Sequence, residues 1–450
     1  MKTIAQLAGE LNSGITTSQT LIEDALARIE QHRGAGGSAY ISVDAEQARL
    51  DAIASDRARA KGHVPSPLAG LPVSIKDLFD VRGHVSRSGA KLLNDAPPAI
   101  SDAAVVSRLR AVGAILLGRT NMSEFAFSGL GLNPHFGTPR NPFDQHRIAG
   151  GSSSGAAVSV AEGMAVVGLG TDTGGSIRIP SAFCGLTGFK PTASRVPQDG
   201  AFPLSQSLDS VGPLARSVAD CRWVDGILSG ETLAHQERTL AGLRLAVTRD
   251  YVLEGLDEAT ALAFDASLAR LSDAGADIQW INFPELHQLP QINAGGGLTA
   301  AEAWHRHRDW LQGPHSDQYD ARVAKRIRRG EALSAFDYLE IVAQRQRLIE
   351  AARQRLAGFD GWLMPTVPVV APTLEPLLAD EATFFSTNGL VLRNPSVINF
   401  LDGCALSLPC QRPGDLPVGL SVAGLHGTDA HILAVGQAIE ACVTHAPNVR

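Results

Sequence analysis

The sequence predicts an α/β protein built around one large sheet that carries helices on both faces. From about residue 68 onward, short apolar segments alternate with helical patterns, which is the rhythm of an α/β fold. Neither an internal repeat nor a low-complexity linker interrupts the 450 residues, so no sharp domain boundary is indicated. We therefore expect a single domain over residues 1–450.

Residues 1–62 are expected to form peripheral helices that flank this domain. In the first of them, apolar residues recur at helical spacing after a Thr-Ser start signal. These residues are Leu21, Ile22, Ala25, Leu26 and Ile29. A second, polar helix is expected to end at Gly62.

Residues 68–220 are the expected core, and residues 225–450 supply the rest of the sheet and further helices. In the core, "LPVSI", "ILLG" and "MAVVGLG" are predicted strands, and "AAVVSRLRAVGA" and "GAAVSVAEG" are predicted helices. The later strands are "LRLAVTRD", "GWLMPTVPV", "ALSLPC" and "LPVGLSVAG". Helices are expected near residues 257–274, 298–357 and 428–443.

The composition excludes several classes of protein. A formal net charge of -7 provides no global attraction to nucleic acid or to an anionic membrane. The five cysteines include no C-x-x-C pair, and the N-terminus lacks the apolar region of a signal peptide. We expect a cytoplasmic protein that binds neither nucleic acid nor membrane, and a homodimer is left open.

No cofactor and no metal are expected. His305 and His307 stand two residues apart without an H-E-x-x-H motif, and "GLGTDTGG" does not match a dinucleotide-binding loop. One run of basic residues is expected to be a solvated helix face rather than an anion site. It consists of Arg322, Lys325, Arg326, Arg328 and Arg329.

The segment "TDTGGSIRIPSAFCGLTGFKPT" follows a predicted strand that ends near Gly170. Sites in α/β proteins concentrate at the carboxyl edges of strands. The glycines leave backbone N–H groups uncovered, so Thr173, Gly174, Gly175 and Ser176 could direct several donors at one point. Such a group of donors can stabilise an oxyanion, which makes Ser176 the candidate nucleophile.

A serine nucleophile also needs a base within hydrogen-bond reach. Histidine is the usual base, and Lys76 at the end of "LPVSI" is an alternative if burial lowers its pKa. The segment "GSSSG" resembles a nucleophile elbow centred on Ser153, but that motif requires a preceding strand. A polar, proline-containing segment precedes it instead, so the elbow is disfavoured.

Several ordered motifs resemble those of the amidase signature family, over nearly the whole chain and most densely between about residues 68 and 220. They are "GLPVSIKD", "GRTNMSEFA", "RNPFD", "AGGSSSGAAVSVAEG", "GLGTDTGGSIRIPSAFCGLTGFKPT" and "SLDSVGPLARSVAD". The spacing between Ser152 and Ser176 also fits the family. Within the family, the chain resembles indoleacetamide hydrolase-like amidases and amidotransferase A-subunit-like amidases.

The resemblance implies a catalytic triad with Ser176 as nucleophile, Ser152 as a bridging serine after a cis peptide bond, and Lys76 as base. It also implies one α/β/α domain around a mixed sheet. The implied oxyanion donors are the N–H groups of Thr173, Gly174, Gly175 and Ser176. The implied supporting residues are Ser153, Asp172 and Arg178. Ser154 departs from the glycine that many members carry at its position.

The implied function is a stand-alone amidase that cleaves a small, apolar or aryl amide through an acyl-enzyme, with carbamates and esters as further substrates. Two loop-like segments, residues 121–132 and 384–400, are expected to form the pocket. Their candidate residues are Met122, Phe125, Phe127, Phe384 and Phe385. The alternative is the glutaminase-type A subunit of a tRNA-dependent amidotransferase, although Ile179 stands where those subunits often carry glutamine. A non-catalytic binding protein would lack a triad residue, and none is missing.

Overall fold

The computed structural model describes residues 2–231 and 237–444. Within these ranges, eleven strands form one sheet. The strands are β1 (Tyr40–Val43), β2 (Pro72–Lys76), β3 (Ile115–Thr120), β4 (Val167–Asp172), β5 (Thr187–Lys190), β6 (Ser210–Ala215), β7 (Arg244–Thr248), β8 (Asp277–Ile281), β9 (Gly361–Pro365), β10 (Cys404–Pro409) and β11 (Gly419–Gly424). The α-helices are α1 (Ile4–Ser13), α2 (Ser18–Gly34), α3 (Ala45–Ala60), α4 (Ala104–Ala111), α5 (Ser154–Ala161), α6 (Arg178–Phe183), α7 (Val218–Ser229), α8 (Glu258–Asp273), α9 (Leu289–Ile292), α10 (Gly297–Gln312), α11 (Ala321–Arg328), α12 (Ala335–Arg355), α13 (Leu374–Ala379), α14 (Glu381–Phe400) and α15 (Asp429–Val443).

The sheet is mixed, with the strand order β1-β3-β2-β4-β6-β5-β10-β11-β9-β7-β8. Strand β2 lies between β3 and β4 and runs parallel to both. Strand β7 is likewise parallel to its two neighbours, β8 and β9. The remaining pairs are antiparallel. This confirms the predicted α/β class with a large mixed sheet.

Helices cover both faces of the sheet, as predicted. Consecutive residues of a strand point to opposite faces. In β9, Leu363 packs in one apolar cluster with Val224 of α7 and Ile432 of α15. Its neighbour Trp362 packs in another cluster, with Ile349 of α12. Because both side chains are buried, the sheet forms the middle layer of the molecule.

Two regions differ from the sequence-based expectation. Strand β1 lies between α2 and α3, where only helices are expected, and pairs with β3 at the edge of the sheet. Four residues are too few to display a strand period, which explains the omission. The region 298–357 contains three helices, α10, α11 and α12, rather than continuous helix. Helix α10 ends before Gly313, and Ser334 caps the start of α12.

Segment 384–400 is also helical, although it is expected to be loop-like. It belongs to α14, whose first turn is capped by Asp380, since the carboxylate accepts a hydrogen bond from the Thr383 N–H at 2.8 Å. Gly389 and Pro395 both lie inside this helix and disfavour it locally. Packing of Val391 and Phe400 against the core therefore outweighs the local preference.

Two further features of the structure concern its helices and its cysteines. Among the helices of the described ranges, none has the length and apolar character needed to cross a bilayer. All five cysteines carry free thiols, and every one except Cys442 is buried.

Candidate active site

The first element of the site is Lys76, the last residue of β2. Parallel pairing with β4 brings Lys76 to the same sheet edge as Thr171, because parallel strands end on the same side. Lys76 is fully buried. Its Nζ lies 2.7 Å from Ser152 Oγ and 2.8 Å from Thr171 Oγ1, within hydrogen-bond distance of both hydroxyls.

The second element is the segment that leads into α5. The peptide bond between Gly151 and Ser152 is cis, as the family resemblance implies. The N–H of Ser153 donates to the Ser176 carbonyl at 3.2 Å, so this segment lies directly against the turn that carries Ser176. Ser152 is fully buried, whereas Ser176 lines the cavity described below. The structure thus brings the three predicted triad residues together.

The environment of Lys76 favours the neutral amine. Burial lowers its pKa to about 7, although the negative charges of Asp209 and Asp172 act in the opposite direction. A charged ammonium is disfavoured in an apolar interior because it loses its hydration. A substantial fraction of Lys76 is therefore neutral near pH 7, and a neutral amine can accept a proton.

The third element is the turn between β4 and α6, which is organised by Asp172. One carboxylate oxygen accepts from the Gly175 N–H at 2.8 Å, and the other accepts from Ile177 at 3.1 Å. Arg178 forms a bidentate pair with the same carboxylate, with both contacts at 3.0 Å. Burial would raise the pKa of Asp172, but Arg178 outweighs this effect and holds the pKa well below its usual range.

This arrangement changes the expected set of oxyanion donors. The Gly175 N–H is occupied by Asp172, so it does not serve as a donor to the cavity. The N–H groups of Thr173, Gly174 and Ser176 donate to no acceptor within residues 2–231 and 237–444, and these three residues line the cavity. Gly175 has a positive φ of 124°, and a Cβ there would lie 2.7 Å from Ile179 and Pro395 side-chain atoms. The turn therefore requires glycine at position 175, both for its backbone conformation and for its close packing.

We expect the Asp172→Asn variant to unfold more easily by about 3–5 kcal/mol, because it leaves the buried Arg178 charge without its partner. Urea denaturation of the purified protein measures this change. Asp273→Asn, an exposed position at the end of α8, is the matched control and should leave stability within about 0.5 kcal/mol. Equal stability of the two variants would contradict a structural role for Asp172.

Two residues that support the site were not found from the sequence. Asp209 accepts a hydrogen bond from Thr173 Oγ1 at 2.5 Å, and burial raises the pKa of Asp209 to about 6. Asn399 of α14 donates to an Asp172 carboxylate oxygen at 3.0 Å and accepts from Arg178 at 2.6 Å. Asp209 lies in the motif "SLDSVGPLARSVAD", so this motif could have identified it as a residue of the site. Asn399 lies 227 residues from Asp172, and no local pattern connects them.

Ser153 and Ser154 have different environments. The Ser153 hydroxyl donates to the Thr171 carbonyl at 3.3 Å, and this hydrogen bond connects the segment before α5 to the end of β4. Ser154 begins α5 and is buried, and its hydroxyl has no hydrogen-bond partner in the described part of the chain. The predicted role of Ser153 in orienting the relay stays a prediction.

A cavity of about 360 Å³ opens beside Ser176. Of the five predicted pocket residues, it is lined by Phe127 alone. Met122 and Phe125 are buried in the core, where the Phe125 ring packs 5.3 Å from that of Phe202. Phe384 and Phe385 pack against each other in another cluster, with ring centroids 5.3 Å apart. For these four residues the expectation is wrong, because apolar character alone does not distinguish core from cavity wall.

Helix α14 nevertheless forms one wall of the cavity. The residues that face it recur at helical spacing along one side of α14. They are Gly389, Leu392, Arg393, Ser396 and Phe400. Other parts of the described chain contribute apolar residues to the lining, including Leu204, Leu208 and Leu289. The segment therefore lines the cavity beside Ser176, but through side chains other than those predicted.

Known proteins resemble this chain over nearly its full length. A family model for amidases matches residues 20–433. A 2-amino-5-chloromuconic acid deaminase from Comamonas testosteroni is 36% identical over 416 residues, which cover 90% of this chain and 88% of the deaminase. The A subunit of glutamyl-tRNA(Gln) amidotransferase from Cupriavidus taiwanensis is 33% identical, with 97% of this chain and 95% of that relative covered. A solved structure of an amidase matches with a TM-score of 0.89 at 35% identity and covers 98% of this chain and 100% of its own. The chain therefore belongs to the amidase signature family and is a hydrolase that acts on carbon–nitrogen bonds.

Proposed function

We propose that this protein is a stand-alone amidase that uses Ser176, Ser152 and Lys76 as its catalytic triad. The observation that carries the proposal is the 2.7 Å contact between Lys76 Nζ and Ser152 Oγ, directly behind a serine that lines a cavity. A base buried beside a bridging hydroxyl is the arrangement that a serine nucleophile requires.

In the proposed first step, Ser176 Oγ attacks the amide carbonyl carbon. The Ser176 proton passes to Ser152 Oγ, and the Ser152 proton passes to the lone pair of neutral Lys76. The carbonyl oxygen becomes an oxyanion beside the N–H groups of Thr173, Gly174 and Ser176, which are already oriented and therefore cost little reorganisation.

In the second step, the carbon–nitrogen bond breaks. The leaving nitrogen takes a proton back from Lys76 through Ser152, and an ester between the acyl group and Ser176 remains. Water then attacks this ester by the same relay. The acyl group leaves as a carboxylate, and the Ser176 hydroxyl is restored.

The cavity supports a small substrate with an apolar or aryl body. Its volume of about 360 Å³ lies at the lower end of the range for small-molecule sites. The walls provided by Phe127, Leu204, Leu208 and Phe400 would hold such a body in place. Carbamates and esters present the same carbonyl to Ser176, so they belong to the proposed substrate range.

A second candidate function is the glutaminase-type A subunit of a tRNA-dependent amidotransferase. It is favoured by the similarity to the amidotransferase relative from Cupriavidus taiwanensis over 97% of this chain. Against it, Ile179 is fully buried in an apolar cluster, and its hydrocarbon side chain cannot make the hydrogen bonds that a glutamine at this position would make.

We expect the purified chain alone to hydrolyse at least one class in a panel of aliphatic amides, aryl amides, carbamates and esters, with release of ammonia or amine or, from esters, of alcohol. Ser176→Ala protein is the control for each substrate. A chain that is inert on the whole panel, but hydrolyses glutamine once partner subunits of an amidotransferase are added, would favour the second candidate.

A further inference from the structure

The cavity beside Ser176 is positively charged. Three arginines line it, and no acidic residue of the described chain does. These arginines are Arg326, Arg329 and Arg393. Two of them belong to the basic run that is expected to be a solvated helix face. That expectation is wrong for Arg326, which is partly buried and lines the cavity at the end of α11. Arg329 is exposed, as expected, and it lines the cavity as well.

Arg326 has the most defined position of the three. Its guanidinium carbon lies 4.3 Å from the centre of the Phe127 ring, and one of its nitrogens donates to the Phe127 carbonyl. Burial lowers the pKa of Arg326 to about 10, and the neighbouring Arg329 acts in the same direction. Arg326 therefore remains charged at neutral pH, and it still has N–H donors that are not used by Phe127.

Arg329 and Arg393 also bind neutral groups. Arg329 donates to the Ala294 carbonyl at 2.5 Å. Arg393 donates to the Asn394 side-chain oxygen at 3.0 Å and to the Val252 carbonyl at 3.3 Å. Glu254 attracts the charge of Arg393 but does not line the cavity.

Two of the other three basic residues of α11 have carboxylate partners, and the third, Arg328, donates to a backbone carbonyl. Arg322 contacts Asp320 at 2.8 Å, and Lys325 contacts Glu381 at 2.9 Å. By contrast, none of the three cavity arginines forms an ion pair with a carboxylate within the described ranges. Arg326 and Arg393 are partly buried, whereas Arg329 is exposed. Partly buried charges without a counter-ion cost free energy, and an anion bound by Arg326 and Arg393 would offset this cost.

We infer that the substrate carries a carboxylate, which is bound by Arg326 with Arg329 and Arg393 while the apolar walls hold its body. This inference rests on the proposed amidase function and adds the substrate class. Guanidinium groups suit a carboxylate because their N–H donors form a planar fork that matches its two oxygens. The substrate class is therefore amides that also bear a free carboxylate.

The test compares substrates that differ only in this group. Glutaramate has one amide and one carboxylate, whereas glutaramide has two amides and almost the same shape. 4-Carbamoylbenzoate and terephthalamide form the corresponding aryl pair. For the wild-type protein, we expect kcat/KM to be at least about tenfold higher for the carboxylate member of the better pair. Arg326→Gln should lower that value about ten- to hundredfold, mainly through KM, so that the ratio between the carboxylate member and the neutral member falls toward one.

Arg328→Gln is the matched control, since Arg328 lies on the same helix, donates to the Leu311 carbonyl and does not line the cavity. It should behave as wild type. Arg393→Gln provides a second variant should Arg326→Gln fold poorly. Binding of the same four compounds to Ser176→Ala protein, measured by calorimetry, gives a readout that does not need turnover.

The outcomes separate the two proposals. Equal kcat/KM and equal binding for charged and neutral members, or a preference that survives both arginine variants, would overturn the carboxylate inference and leave the amidase proposal intact. Absence of hydrolysis together with carboxylate-selective binding that is lost in Arg326→Gln would count against the amidase proposal and support the inference. Failure of all four compounds to bind Ser176→Ala protein would overturn the inference.

Discussion

Replacement of Lys76 by methionine is expected to lower kcat/KM by about 10³-fold and to remove its dependence on pH near neutrality. Methionine keeps most of the volume of the lysine side chain but has no group that can accept a proton from Ser152. In the wild-type protein, kcat/KM should rise with pH through about 7 and then level off, because burial lowers the pKa of Lys76 to about 7. Below that pH the protonated lysine cannot act as base, so kcat/KM should fall about tenfold per pH unit.

The second fully buried lysine of this region is the matched control. Lys190 also has a pKa lowered by burial, to about 8, but its Nζ donates to the Pro191 carbonyl and makes no contact with Ser152. Lys190→Met should keep the rise near pH 7. A rise that survives in Lys76→Met and disappears in Lys190→Met would assign the base to Lys190 instead.

Asp209→Asn should move the rise of kcat/KM in the wild-type protein to lower pH, because Asp209 raises the pKa of Lys76.

Ser176→Ala is expected to reduce kcat by about 10⁴-fold or more, because the variant cannot form the acyl-enzyme. KM should change little, since the cavity walls and their charges are retained. Steady-state kinetics with the best substrate of the amide panel measures both constants.

Ser153→Ala is the control for this variant. It keeps the Ser153 N–H that donates to the Ser176 carbonyl and removes only a 3.3 Å side-chain hydrogen bond. Its kcat should fall less than about tenfold. If kcat falls as far in Ser153→Ala as in Ser176→Ala, the hypothesis that Ser153 is the nucleophile of a nucleophile elbow would be favoured again.

Much of the fold could be predicted because its central strands are buried on both faces. "LPVSI" and "ILLG" are continuous apolar runs and became β2 and β3 of the parallel part of the sheet. The edge strand β1 was missed because its four residues carry no distinguishable period. Helix α14 was missed for a different reason, since Gly389 and Pro395 oppose helix formation locally and only packing overcomes them.

Part of the candidate site could likewise be predicted from the sequence, and part of it could not. Lys76, Ser152 and Ser176 occupy dense local motifs, so their resemblance to a family was sufficient to propose all three as the triad. The occupied Gly175 N–H could not be foreseen, because it depends on which way the Asp172 carboxylate turns. The charge of the cavity could not be foreseen either. Spacing along α11 does not reveal that Arg326 packs on the Phe127 ring while Arg322 pairs with Asp320.

Labelling with a fluorophosphonate shows whether Ser176 is the covalent nucleophile. Mass spectrometry of the labelled wild-type protein and of its peptides should show one adduct, located on Ser176, and Ser176→Ala protein should remain unlabelled. The rate of labelling should also fall strongly in Lys76→Met, because the same base activates the serine toward the probe. An adduct located on Ser153, or labelling of Ser176→Ala at the wild-type rate, would show that Ser176 is not the nucleophile.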